Sequence, residues 1–323
     1  MNHGGGVDMP IYRFEAKVIG RAERGGGRSV VACAAYRSAS SLYDDKYALR
    51  HDYSRREAGL AYSAIVAPDG APSWVYDRQA LWNAVELKED QSRRRASAQL
   101  AREFIISLPK ELDREQRQEL VLGFVHDELT SRGMISDISI HEPREGDNFH
   151  CHILCSMREI GSEGFGNKVR DWNDKDTLVA WRKSWEEHCN KALEDAGETA
   201  RVDSRSLADQ GSDKEPMPKI GVAAAAMERR GIETQRGIAA RAVNYFNQVK
   251  DAIRGIVLRG EIAEYPAITT GSPQPWWQRA WYSIEEGFEA VRDTAVTILH
   301  DSPSSSWVDK ENTRRSDPEP DMS

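Results

Sequence analysis

Residues 137–160 read DISIHEPREGDNFHCHILCSMREI, two alternating runs separated by a polar, glycine-containing stretch. In a strand, side chains two apart share a face. His150 and His152 therefore project together, while Cys151, Ile153 and Cys155 point to an apolar side. In the first run Asp137, Ser139 and His141 share one face, with Ile138 and Ile140 on the other. Residues 142–149, holding Gly146, Asp147 and Asn148, suit the connection of an antiparallel hairpin between strands at 135–141 and 150–157. Closing that hairpin brings His141 beside His150 and His152. The chain has eight histidines in 323 residues, and three of them lie between positions 141 and 152. Three neutral imidazoles on one face make a metal site with open coordination positions; the alternative is three sheet histidines with satisfied hydrogen bonds. Imidazole suits Zn²⁺, and open sites that act on phosphates also take Mg²⁺ or Mn²⁺.

Outward from the hairpin, strands and helices alternate. Residues 11–18 alternate as a strand, and Ser29 can cap a short helix from Val30 to about position 40, its small residues Ala32, Ala34 and Ala35 suited to close packing. A helix is expected over 77–89 and a buried strand over 104–108, ended by Pro109. Asp113 caps a helix to about position 132, with Gly133 as its stop. Further helices are expected over 176–195 and 235–257. Locally paired strands with helices between them predict an α+β fold rather than a doubly wound sheet.

Charge adds a second constraint. The 44 Lys and Arg against 52 Asp and Glu give a net −8, which argues against binding a polyanion by bulk attraction. The distribution is uneven, however. Residues 10–56 carry ten basic and five acidic side chains, among them Arg28 and Arg37, and Arg93, Arg94 and Arg95 precede Arg102. Residues 301–323 hold six acidic residues, three basic ones, six serines and three prolines, the composition of a disordered acidic tail. No run approaches the roughly 18 apolar residues of a membrane span, and residues 1–8 lack the apolar core of a secretory signal. Four unpatterned cysteines fit buried thiols in a reducing cytoplasm.

A candidate nucleophile is Tyr36, within RSVVACAAYRSAS at 28–40 and flanked by Arg28 and Arg37. A phenol is a weak nucleophile until a neighbouring cation or base favours loss of its proton, and metal charge with arginine donors would supply that. Tyr43 and Tyr47 compete for the role.

These pieces, in order, resemble the MobA/MobL (MobQ-type) plasmid relaxases. MPIYRFEAKVIGR at 9–21 looks like the opening strand and RSVVACAAYRSAS like the tyrosine segment; REFIISLPKEL at 102–112 is similar to the central strand with its Leu-Pro turn. The 137–160 stretch looks like the three-histidine motif, and RVDSRSLADQG with GVAAAAMERRGIETQRG resembles the distal signature. The resemblance covers about 9–240. It implies the HUH relaxase fold, an antiparallel five-stranded sheet flanked by helices with the histidine motif on a central strand. It also implies nicking of one strand at a plasmid transfer origin: Tyr36 attacks, a 5′-phosphotyrosyl link forms, and the link is reversed after conjugative transfer or mobilisation. His141, His150 and His152 would hold the divalent ion. Glu103 would orient a ligand or take the tyrosine proton, and Asp137 would orient an imidazole. Arg28, Arg37 and Arg102 are candidate DNA contacts.

The implied partners are single-stranded or hairpin transfer-origin DNA, accessory relaxosome proteins and a type IV secretion coupling protein. The implied location is the bacterial cytoplasm, with passage alongside the DNA. Two departures stand out: Ser204 and Lys219 occupy positions where relatives often carry histidine. The expected organisation is a flexible extension at 1–8, a nuclease domain at 9–258, a Trp-rich helical extension at 259–300 and the tail at 301–323. That length leaves no room for the helicase or primase of larger members. The competing classes are a rolling-circle replication initiator with the same chemistry and a DNA-binding accessory protein with structural zinc.

Overall fold

The computed structural model describes residues 12–21, 29–142 and 148–258; the expected segments at 1–8, 259–300 and 301–323, and Arg28, lie outside them. The predicted hairpin is present: β6 (Ser136–His141) pairs antiparallel with β7 (His150–Ser156), with His141 opposite His150 and Ser139 opposite His152. Three further strands complete a five-stranded sheet. β1 (Phe14–Gly20) pairs with β5 (Gln99–Ser107), β5 with β7, and β6 with β4 (Leu60–Val66), all antiparallel, in the order β1-β5-β7-β6-β4. The histidine pair thus sits on the middle strand of an α+β fold.

Alternation along β5, β6 and β7 divides two cores. Phe104, Ile106, Ile138, Ile140, Cys151 and Ile153 pack against α3 (Arg114–Glu128) and α4 (Lys175–Asp195). The α4 stripe Trp181, Trp185, Cys189 and Leu193 recurs every four residues and is buried, as an amphipathic helix requires; a fully buried side chain of Leu or Phe size contributes about 1.5–3 kcal/mol. On the other face Leu154, Ala101 and Ile135 meet α1 (Val30–Arg37) and α2 (Arg78–Asp90) through Val30, Val31, Leu81, Trp82 and Val85. The histidines share this second face with Leu154.

Caps read from the sequence hold. Ser29 Oγ accepts from Ala32 N, and Asp113 and Gln116 form a reciprocal capping box. α1 ends at Arg37 rather than near position 40, because Ala39 takes a left-handed φ of 48°. β5 begins at Gln99, five residues earlier than expected, since the charged pair Arg102-Glu103 is buried within the strand. The hairpin β2 (Ser41–Asp44) and β3 (Leu49–Asp52), the strand β4, and the hairpin β8 (Arg158–Gly161) and β9 (Gly164–Lys168) were not expected. All four cysteines are free and buried.

The chain divides into two compact units, one up to Ser204 and one from Arg205, so a boundary falls inside the expected 9–258 domain. In the second unit α5 (Val222–Glu228) and α6 (Gln235–Leu258) are joined by a turn that Glu228 closes, accepting from Thr234 Oγ1 at 2.8 Å and Arg241 at 2.6 Å. No helix among the described residues is long and apolar enough to cross a membrane.

Candidate active site

Register brings the three histidines together. Their ring centroids lie 5.3–5.4 Å apart, with His141 and His150 stacked and His152 edge-on to both. Each ring has one nitrogen committed. His150 Nδ1 lies 2.8 Å from the Asn148 carbonyl, an acceptor only, so that nitrogen carries the proton. His152 Nδ1 lies 2.7 Å from Glu103 Oε1. Burial alone would raise the Glu103 carboxyl, but bonds from His152 and Arg37 outweigh it and hold it at about 2. The carboxylate accepts, the imidazole donates, and the Nε2 lone pairs of His150 and His152 are left for a ligand. His141 Nε2 is buried without a hydrogen-bond partner.

Burial, followed by repulsion from His152 and His150, pushes His141 down to about 4; burial lowers His150 as well. His141 and His150 are thus neutral at pH 7. As they stand, no group of three or more His, Cys, Asp or Glu among the described residues has metal-holding geometry. The fit to a divalent ion is therefore one of donor chemistry and ring proximity, carried by the orphaned His141 nitrogen and the fixed tautomers.

Tyr36 stands on the last turn of α1, 42% exposed. The helix end is tied to the histidines by the next residue. Arg37 donates from Nε and Nη2 to both oxygens of Glu103, at 2.5 and 2.6 Å, and Glu103 in turn accepts from His152. The Arg37 backbone bonds His141. Tyr43 and Tyr47 lie on the β2–β3 hairpin and its turn, against Arg50 and Lys46 respectively, with no bond to the triad among those described.

Three expectations need correction, and a fourth is narrowed. Arg37, read as a DNA contact, is largely buried, and its Nη1 also donates to the Cys33 carbonyl at 2.7 Å; it positions Glu103. Arg102 is 6% exposed and lies on the Phe104 side of β5, opposite the histidines, donating to Asn173 at 2.6 Å. Period-two alternation separates it from its neighbour Glu103. Asp137 is on the histidine face, but its carboxylate accepts from Arg78 and from Trp82 Nε1 at 2.8 Å rather than from an imidazole. Glu103, with both oxygens already accepting, fits ligand orientation better than uptake of the tyrosine proton. Arg102→Ala is accordingly expected to leave single-stranded oligonucleotide affinity unchanged in fluorescence anisotropy while lowering the melting temperature. A large loss of affinity would restore Arg102 as a DNA contact.

Sequence reasoning missed Arg56, whose guanidinium lies 4.1 Å over the Tyr36 ring, and Tyr53, edge-on to that ring at 5.3 Å. Both follow the unexpected β2–β3 hairpin, which returns the chain to α1. The Asn148 carbonyl was likewise invisible as a partner. Ser204, at a departure position, donates through its N and Oγ to Glu186.

The sequence model of the MobA/MobL family matches residues 28–230. Conjugal transfer protein TraA of Rhizobium radiobacter is 35% identical over 261 residues, covering 71% of this chain and 23% of its own. Mobilization protein MobL of Acidithiobacillus ferridurans is 33% identical over 261 residues, covering 71% of this chain and 66% of its own. The chain thus spans from under a quarter to just under two thirds of these relatives. A solved structure titled "Molecular Basis of Vancomycin Resistance Transfer in Staphylococcus aureus" matches with a TM-score of 0.55 at 36% identity, over 61% of this chain and 99% of that one. On the family match over residues 28–230, this chain belongs to the MobA/MobL family.

Proposed function

We propose that this chain is a DNA relaxase, a site- and strand-specific transesterase that nicks one strand at a plasmid transfer origin and rejoins it after transfer. The observation that carries the reading is the bonded path from the Tyr36 helix to the histidine cluster, Arg37 to Glu103 to His152. Tyr36 is the nucleophile. Its Oη forms a bond to phosphorus, the bond from phosphorus to O3′ breaks, the phenol proton passes to solvent and the 3′ oxygen takes one up. The product is a 5′-phosphotyrosyl ester, close in energy to the diester it replaces, so a 3′-hydroxyl can reverse the step.

His141, His150 and His152 would hold a divalent ion, Mg²⁺, Mn²⁺ or Zn²⁺, which when bound offsets charge developing on the phosphate. Arg37 and Glu103 keep His152 in the tautomer that faces such an ion. The partners proposed are single-stranded or hairpin origin DNA, with accessory proteins of the transfer complex. Relatives named for conjugal transfer and mobilization favour a transfer origin over a replication origin.

The test is incubation of the chain with single-stranded origin DNA from the replicon that carries its gene, with Mn²⁺ or Mg²⁺, followed by a denaturing gel. A protein-linked 5′ end is expected, and excess EDTA is expected to abolish it. Cleavage that persists at full rate in EDTA would remove the metal from the mechanism, and no covalent product with either ion would remove the relaxase reading.

A further inference from the structure

Arg56 sits over the ring of the candidate nucleophile, and nothing so far gives it a role. Its guanidinium carbon is 4.1 Å from the Tyr36 ring centroid, against 5.8 Å for Arg50 over Tyr43 and 5.9 Å for Lys46 over Tyr47. The short 3-10 segment Ser54–Gly59 that carries it is fixed at both ends. At its start Arg56 N donates to the Tyr53 carbonyl at 2.9 Å, Tyr53 N donates to the Ser40 carbonyl at 3.1 Å, and the Tyr53 ring meets Tyr36 edge-on. At its end the Gly59 carbonyl accepts from Glu142 N at 3.0 Å, and Leu60 lies opposite His141 in the sheet. One segment thus runs from the tyrosine to the first histidine, with Arg56 between them.

Among the described residues no carboxylate offsets the charge of this arginine. Arg21, Arg37, Arg78 and Arg158 each hold a carboxylate, whereas Arg56 is exposed and has no ion pair among the described residues. A guanidinium stacked on an aromatic face keeps its N–H groups in its own plane, directed outward, where they can hold two oxygens of a phosphate.

Building on the relaxase reading, we propose that Arg56 binds the non-bridging oxygens of the scissile phosphodiester while its stacking holds the Tyr36 ring in place for attack. Arg56 transfers no proton. It donates hydrogen bonds to the phosphate as the bond from Tyr36 Oη to phosphorus forms and the bond to O3′ breaks. It is thereby a phosphate-contacting residue of the site, independent of the ion.

The experiment uses the full chain and the origin oligonucleotide that the wild type cleaves. In single turnover, Arg56→Ala is expected to slow adduct formation by about 10²-fold, the scale for loss of one charge-stabilising donor. Arg56→Lys is expected to recover part of that, having charge without the planar fork. Binding is measured separately in a Tyr36→Phe background, which cannot form the adduct. There the added Arg56→Ala change is expected to weaken binding and to flatten the dependence of log affinity on log salt by about 0.7, one phosphate contact on a single strand. A role confined to packing would leave that slope alone.

Wild-type cleavage with an undiminished Arg56→Ala rate, or a slower rate with an unchanged salt slope, overturns the proposal for Arg56 and leaves the relaxase reading standing. A wild type that forms no adduct overturns both. Arg56 is exposed, so a folded variant is expected, and Arg56→Gln repeats the test with a side chain of similar length should Arg56→Ala melt early.

Discussion

Tyr36→Phe is expected to abolish the covalent protein–DNA product on a denaturing gel, a rate loss on the order of 10⁴ or more, as for removal of a nucleophile that nothing replaces. The substitution removes one oxygen and keeps the ring. Phenylalanine can still pack edge-on against Tyr53 and beneath Arg56, so the α1 end, Arg37 and its bonds to Glu103 are undisturbed. Oligonucleotide affinity and melting temperature should therefore stay near the wild type. Tyr43 and Tyr47 provide the control. Each is held on or beside the β2–β3 hairpin without a bond to the triad among those described, and their phenylalanine variants should form the adduct normally. An adduct that survives Tyr36→Phe and disappears with either control would move the nucleophile to that tyrosine.

What the sequence made legible was local and periodic. A hairpin with three histidines on one face follows from the alternation of 137–141 and 150–155, and the structure puts the three rings within contact of one another. Helices with caps were equally readable, as at Ser29 and Asp113. The failures share a cause. Whether a charged side chain reaches solvent or a buried partner is settled by which strands become neighbours. Arg102 and Glu103 are adjacent in sequence and both buried, yet they face opposite cores. Arg37 reads as free charge until β5 supplies Glu103, and Asp137 reads as a partner for histidine until α2 supplies Arg78 and Trp82. The β2–β3 hairpin, which sets up Arg56, is too short and polar to announce itself: LYDDKYALRHD at 42–52 has no clean alternation.

The Glu103 pairing yields the second large expected effect. Glu103 and Arg37 have side chains only 3% and 11% exposed and share two short bonds, so removing one partner leaves a charge buried without compensation. Glu103→Gln should cost about 3–5 kcal/mol of stability in urea unfolding, the usual result of breaking a buried pair. It should also lower Mn²⁺ affinity in titration calorimetry by about 10–100-fold, because an amide no longer compels the donor tautomer of His152. The two effects have different origins and can be separated. In the Glu103→Gln, Arg37→Gln double variant the orphaned cation is gone, so much of the stability should return. The carboxylate that fixes His152 is still missing, so the Mn²⁺ affinity should not. If the single variant loses stability but binds Mn²⁺ as well as the wild type, Glu103 serves only to neutralise Arg37. If the double variant recovers both, the tautomer of His152 is set by something other than this carboxylate.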